Sequence, residues 1–137
     1  MDLWTRVSQS FDAQGLMTTL GARLVHVAQG EVQIEMPHAA SLSQQHGFIH
    51  AGAISSILDS ACGYAALTSA PAGCEVVTAE FKINFVRPAI GERFIATGRV
   101  QQAGKRLSVC TGEVLAYTGA ESKVIAIMQA TVANVEA

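Results

Sequence analysis

The chain has 137 residues, half of them hydrophobic and 15% charged, with nine Lys and Arg against eleven Asp and Glu and a net charge of −2 at pH 7. That length makes one domain, residues 1–137, able to bury a full core without metal or disulfide staples, and the absence of a basic excess excludes a nucleic-acid-binding face. A mean hydropathy of +0.31 with so few charges implies that copies of the chain cover one another.

Residues 2–14 predict a short amphipathic helix, with Leu3, Val7 and Phe11 at fourfold spacing. Gly21 closes the next segment, and 22–28 and 31–36 predict a hairpin around Gln29-Gly30. Residues 37–49 have no period and predict a loop of a length that is usually functional. Residues 51–67 predict the one long helix, apolar nearly all round and ended by Ser69-Ala70-Pro71-Ala72-Gly73. Its interruption by Gly52, Ser55, Ser56, Asp59, Ser60 and Gly63 leaves it short of a membrane span. Strands then follow over 76–86, where Phe81, Ile83 and Phe85 alternate with polar residues, over 94–103, where Phe94, Ala96, Gly98 and Val100 form one face, and over 107–117 and 124–132. Read as a meander, they predict an α+β domain in which an antiparallel sheet curls around a central helix and leaves edges for pairing in a dimer. Cys62, Cys74 and Cys110 have no CxxC spacing and fit a reducing compartment. With no secretory signal at the N-terminus, the expectation is a cytoplasmic protein.

Asp59 is the most informative residue for chemistry. Its helical neighbours are Ser55, Ser56, Cys62 and Gly63, with no cation among them, and a carboxylate enclosed in so apolar a helix is seldom kept for packing. The competing reading is that Ser55 or Ser56 satisfies it, or that it faces water. His50, Ala51 and Gly52 open the helix, where unpaired N–H groups favour a developing oxyanion. Asp59 lies nine positions further on, so a partner surface is needed to close a site. His46 and His50 lack any accompanying metal motif, and no G-x-S-x-G, G-x-G-x-x-G or P-loop occurs. No metal or cofactor is expected. Arg87, Arg93, Arg99, Lys105 and Arg106 gather five cations in a short span, as phosphate contacts or as charges that protect sheet edges.

The set Gln44-x5-His50-Ala51-Gly52-x6-Asp59, followed by Phe81-x-Ile83-x-Phe85-x-Arg87-Pro88, Gly91-Glu92 and Gly104-Lys105-Arg106, resembles the hotdog-fold acyl-CoA thioesterases of the phenylacetate-degradation, PaaI-like type. The resemblance runs from about residue 10 to residue 134. It implies a sheet wrapped around one helix, a homodimer joined through sheet edges, pairing of dimers into a homotetramer, and sites at the dimer interface. Carried over by position, Asp59 is the general base or nucleophile, Ala51 offers its N–H to the thioester oxygen, and Gln44 positions water or the carbonyl. His50 orients the thioester, and Thr78 supplies a hydroxyl from a partner subunit. Gly52 lies against the substrate, and Arg87, Lys105 and Arg106 meet the CoA phosphates. Ala51 replaces the first Gly of the family's His-Gly-Gly, adding a methyl beside an intact donor.

Hydratases and dehydratases on this fold carry a His-Phe-Pro-type loop or an Asp-x4-His pair, and neither is present here. A non-catalytic acyl-CoA-binding module stays open as the second class. Ile54, Ile57, Leu58, Phe81 and Phe85 predict an apolar pocket that suits aryl and medium-chain acyl groups equally.

Overall fold

The computed structural model describes all of residues 1–137. Helix α1 spans Leu3–Ala13 and buries Val7 and Phe11, as their spacing predicts. Asp2 caps it by accepting the Thr5 N–H at 2.8 Å, and that bond holds the Asp2 carboxyl below its usual range. Gln14 breaks the helix, and a short α2, Gly15–Thr19, buries Met17. Gly21 and Gly30 both take left-handed conformations, the first leading into the hairpin of β1 (Arg23–Ala28) and β2 (Glu31–Pro37), the second forming its turn. Val32, Ile34 and Met36 point into the core and are fully buried. The loop that follows holds only a 3-10 turn at Ala40–Leu42 and one bridge between Ser43 and Ile49.

Helix α3, Ala51–Ser69, is the core of the molecule. It extends past Leu67 because Thr68 has a structural partner: its hydroxyl accepts the Gly30 N–H at 2.8 Å and donates to Ala65 O at 2.6 Å. The helix end is thus tied to the β1–β2 turn before Pro71 stops it. The sheet wraps α3 with strands β3 (Cys74–Phe85), β4 (Arg93–Ala103), β5 (Leu107–Thr118) and β6 (Glu121–Glu136). β6 runs beyond the apolar stretch at both ends because it lies between two long neighbours and every residue added gains ladder bonds.

All pairings are antiparallel, in the order β1-β2-β4-β5-β6-β3. The second half is therefore not a four-strand meander. Only β4, β5 and β6 form one, and β3 lies at the far edge beside β6. β4 already has β2 and β5 on its two sides, so β3 can pair only elsewhere. The connection Val86–Glu92 reaches about 20 Å when extended, enough to cross three strand spacings of about 14 Å. As an edge strand β3 is also less covered than its alternation predicts, with Phe81 41% and Phe85 45% exposed.

The sheet closes on α3 at two facing glycines. Gly98 and Gly112 lie directly opposite each other on β4 and β5. A Cβ on Gly98 would stand 2.4 Å from the Ala61 carbonyl carbon, and one on Gly112 would stand 2.7 Å from Leu58 Cδ1. The helix therefore rests on sheet backbone at this point.

The three cysteines are free, Cys62 and Cys110 buried and Cys74 half-buried. Burial pushes the Cys62 thiol well above the usual thiol range, with Cys110 and the Asp59 carboxylate adding to the effect. Burial alone pushes Cys110 up to about 11. At about pH 8 iodoacetamide should therefore modify Cys74 in the native protein and the other two only after unfolding. Intact-mass and peptide analysis would read this, and native modification of either buried thiol would contradict the placement. No helix is long and apolar enough to cross a membrane.

Candidate active site

The start of α3 is fixed by the loop before it. Ile49 N–H donates to Ala89 O at 3.1 Å and His50 N–H to Leu42 O at 2.8 Å, which seats the loop against the β3–β4 connection. His50 is the N-cap: its Nδ1 accepts the Gly52 N–H at 2.7 Å. That bond leaves the neutral ring's proton on Nε2, free to donate outward. It also engages the Gly52 amide, so Gly52 offers a substrate only its lack of side chain. The Ala51 N–H donates to no group of the chain, and the residue is exposed. Gln44 Oε1 accepts the His46 N–H within the loop, which leaves the amide NH2 to donate. Gln44, His50 and Ala51 line one cleft of about 260 Å³, with Arg87, Phe85 and Ile54 among its other walls.

Asp59 lies in a different groove, of about 240 Å³. It is half-buried, not enclosed, and Thr78 Oγ1 donates to its Oδ1 at 2.7 Å. Thr78 comes from the same chain, so the hydroxyl that the resemblance assigns to a partner subunit is supplied internally. A bulge at Ala79 makes this possible. β3 pairs Thr78 with Val132 and Glu80 with Thr131, so Thr78 shares the inward side with Phe81, Ile83 and Phe85. Ser55 and Ser56 do not reach Asp59, because their hydroxyls donate back to Ala51 O at 2.8 Å and Gly52 O at 2.7 Å. Ile57 and Leu58 are wholly buried and reach neither cleft.

Asp59 and His50 are about 13 Å apart along the helix axis, so one chain presents an amide-donor half and a carboxylate half without joining them. The cations do not gather either. Arg93 pairs with Glu35 at 3.3 Å, and Arg99 with Glu31 at 2.9 Å and Glu113 at 3.5 Å. Arg87 donates to Val124 O at one end of the sheet, while the turn carrying Lys105 and Arg106 is held by Asn134 at the other. Val124 and Asn134 are about 33 Å apart along β6. The sequence neighbours 87–106 are therefore spread over both ends of the strands, which is why they form no single patch.

A polar network that the motif does not contain lines the Asp59 groove. Gln14 Nε2 donates to the Tyr64 hydroxyl at 2.9 Å, that hydroxyl also meets Ser10 at 3.2 Å, and Ser60 donates to Gln14 Oε1 at 3.0 Å. Its members on α3 were traceable in principle, since Ser60 and Tyr64 fall within about a turn and a half of Asp59. Gln14 carries no such signal, because α1 and α3 meet only in the folded chain.

The model of the thioesterase superfamily matches residues 46–123, more than half of the chain and all of α3. This chain belongs to the thioesterase superfamily. A thioesterase family protein from Silicibacter pomeroyi is 43% identical, with a TM-score of 0.97 over 99% of this chain and 100% of that one. The acyl-coenzyme A thioesterase PaaI of Escherichia coli is 25% identical over 113 residues, 82% of this thioesterase and 79% of that protein. The PaaI structure shares the fold, with a TM-score of 0.87 over 97% of this chain and 93% of that one at 22% identity. A Saccharolobus solfataricus protein named as an esterase is 31% identical over 97 residues, 71% of this chain and 69% of its own length. The thioesterase is thus a PaaI-like hotdog enzyme whose chemistry is thioester hydrolysis.

Proposed function

We propose that this thioesterase hydrolyses acyl-CoA thioesters, aryl or medium-chain, at sites shared between two copies of the chain. The observation that carries the reading is the division of the site. A free amide donor at Ala51 and a Thr78-held carboxylate at Asp59 lie on the same helix, too far apart to act on one carbonyl. Beside them β3 has an unpaired edge with Val77, Phe81 and Phe85 exposed. Antiparallel pairing of two such edges brings the Cys74 half of one strand beside the Phe85 half of the other. Each copy's Asp59 then approaches the other's His50–Ala51 end. The same pairing moves the Lys105–Arg106 turn of one copy toward Arg87 of the other, assembling the phosphate contacts that one chain leaves apart.

In the joined site the thioester oxygen accepts the Ala51 N–H, with the Gln44 amide and His50 Nε2–H as further donors. Asp59 takes a proton from water as the water oxygen bonds to the carbonyl carbon. The C–S bond then breaks, and the CoA sulfur leaves as a thiol by taking the proton that Asp59 received, which returns Asp59 to its carboxylate form. Attack by Asp59 itself, through an acyl-carboxylate anhydride, uses the same geometry. Seating the second copy excludes bulk water and strengthens each of these interactions.

Release of free thiol from phenylacetyl-, benzoyl- and hexanoyl- to palmitoyl-CoA tests the reading, with the assembly measured by light scattering. Hydrolysis by a dimer or larger assembly is the expected result. Tight acyl-CoA binding without release would favour a binding module instead. Ala51→Pro isolates the donor. Proline suits the first helical position and carries its ring Cδ where the N–H was, so no donor is left, and His50 already has the extended ψ of 138° that a following proline needs. We expect kcat to fall about a hundredfold with little change in Tm. An unchanged kcat would remove the Ala51 amide from the reaction.

A further inference from the structure

We propose that Gly63 sets the size of the acyl group this enzyme accepts, by holding open the groove that runs along α3 beyond Asp59. The inference rests on the acyl-CoA reading above and deepens it. Gly63 lies one turn past Asp59 on the same side of α3, about 6 Å along the axis. Glycine is among the poorest helix formers, and this one stands in the interior of a 19-residue helix. Neither conformation nor packing explains it. Its φ is not left-handed, and a Cβ built there meets nothing within 4 Å. Gly98 and Gly112, by contrast, are required by the close approach of helix and sheet.

The space beside Gly63 belongs to the groove that holds Asp59 and Thr78. The walls around it are fixed. Tyr64 is 6% exposed and its hydroxyl is held by Gln14 at 2.9 Å. Leu67, 2% exposed, and Val76 close the far end. From Asp59 to Leu67 the groove runs about 12 Å along the helix. A missing side chain between rigid walls leaves a slot of defined length. The rest of its lining, Ser10, Gln14, Ser60 and Glu75, is polar, so the slot limits an acyl group by its length and width and not by apolar contact at its end.

The test compares Gly63→Ala and Gly63→Leu with the unsubstituted enzyme on straight-chain acyl-CoA thioesters of increasing length. Gly63→Ala should raise Tm by about 3 °C, since alanine is the better helix former. It should leave kcat/KM for the shortest substrate within about twofold and lower it about tenfold for the longest. Gly63→Leu should move the cut-off to shorter chains. A length profile identical to that of the parent would overturn the proposal. So would an equal fall on every substrate together with dissociation in light scattering, which would assign Gly63 to the contact between copies. If the unsubstituted enzyme released no thiol from any acyl-CoA, the underlying reading would fail first, and Gly63 with it.

Discussion

Replacing Asp59 with Asn is expected to lower turnover about a thousandfold while leaving the fold intact. The amide matches the carboxylate in shape, and its oxygen can still accept the Thr78 hydroxyl that now reaches Oδ1 at 2.7 Å. What it loses is the capacity to take a proton from water or to bond to an acyl carbon. Tm should therefore barely move while thiol release collapses, with acyl-CoA affinity retained because the donors at the start of α3 are untouched. Single turnover in ¹⁸O-water tests the second role. Label in the enzyme's own carboxylate, left when water opens an anhydride at the Asp59 carbon, marks attack by Asp59, since a general base puts label only into the free acid. A variant with undiminished turnover would remove Asp59 from the chemistry.

Gly98→Ala is expected to cost about 3 kcal/mol of stability and to lower Tm by roughly 10 °C. The added methyl would stand 2.4 Å from the Ala61 carbonyl carbon and 2.5 Å from both the Ala61 oxygen and the Cys62 nitrogen. These are backbone atoms of a helix, which cannot swing aside as a side chain can. The clash is relieved only by lifting α3 from β4, and α3 carries Asp59 on its other side, so turnover should fall with stability. Gly15→Ala is the matched control, because a Cβ there meets nothing within 4 Å. Equal melting temperatures for the two variants would show that the helix does not rest on the sheet at Gly98.

Most of the fold was legible because its signals are local. Leu3, Val7 and Phe11 mark one face of α1, Gln29-Gly30 marks the hairpin, and the apolar run from Ala51 marks the enclosed helix. The order of strands was not. The place of β3 is decided by which ladder positions are already taken, and nothing in its own residues records that β4 is flanked by β2 and β5. The site divides in the same way. Gln44, His50 and Ala51 meet because they share a loop and a helix start. Thr78 reaches Asp59 through a bulge at Ala79, which shifts the phase of the alternation by one residue, and a simple period of two turns Thr78 away. Arg87 and Lys105 look adjacent in sequence, but the strand between them carries the chain from one end of the sheet to the other.

The crossover from β3 to β4 also bears on how the chain reaches its native state. The only neighbour of β3 is β6, the last strand to be synthesised. On the ribosome, the 12-residue β3 must wait without either edge satisfied while β4 and β5 are made. Such non-local closure is slow and leaves an aggregation-prone edge in the nascent chain. The charges of Glu75, Glu80 and Lys82, spaced among Val77, Phe81 and Phe85, would keep that waiting strand from joining the wrong one.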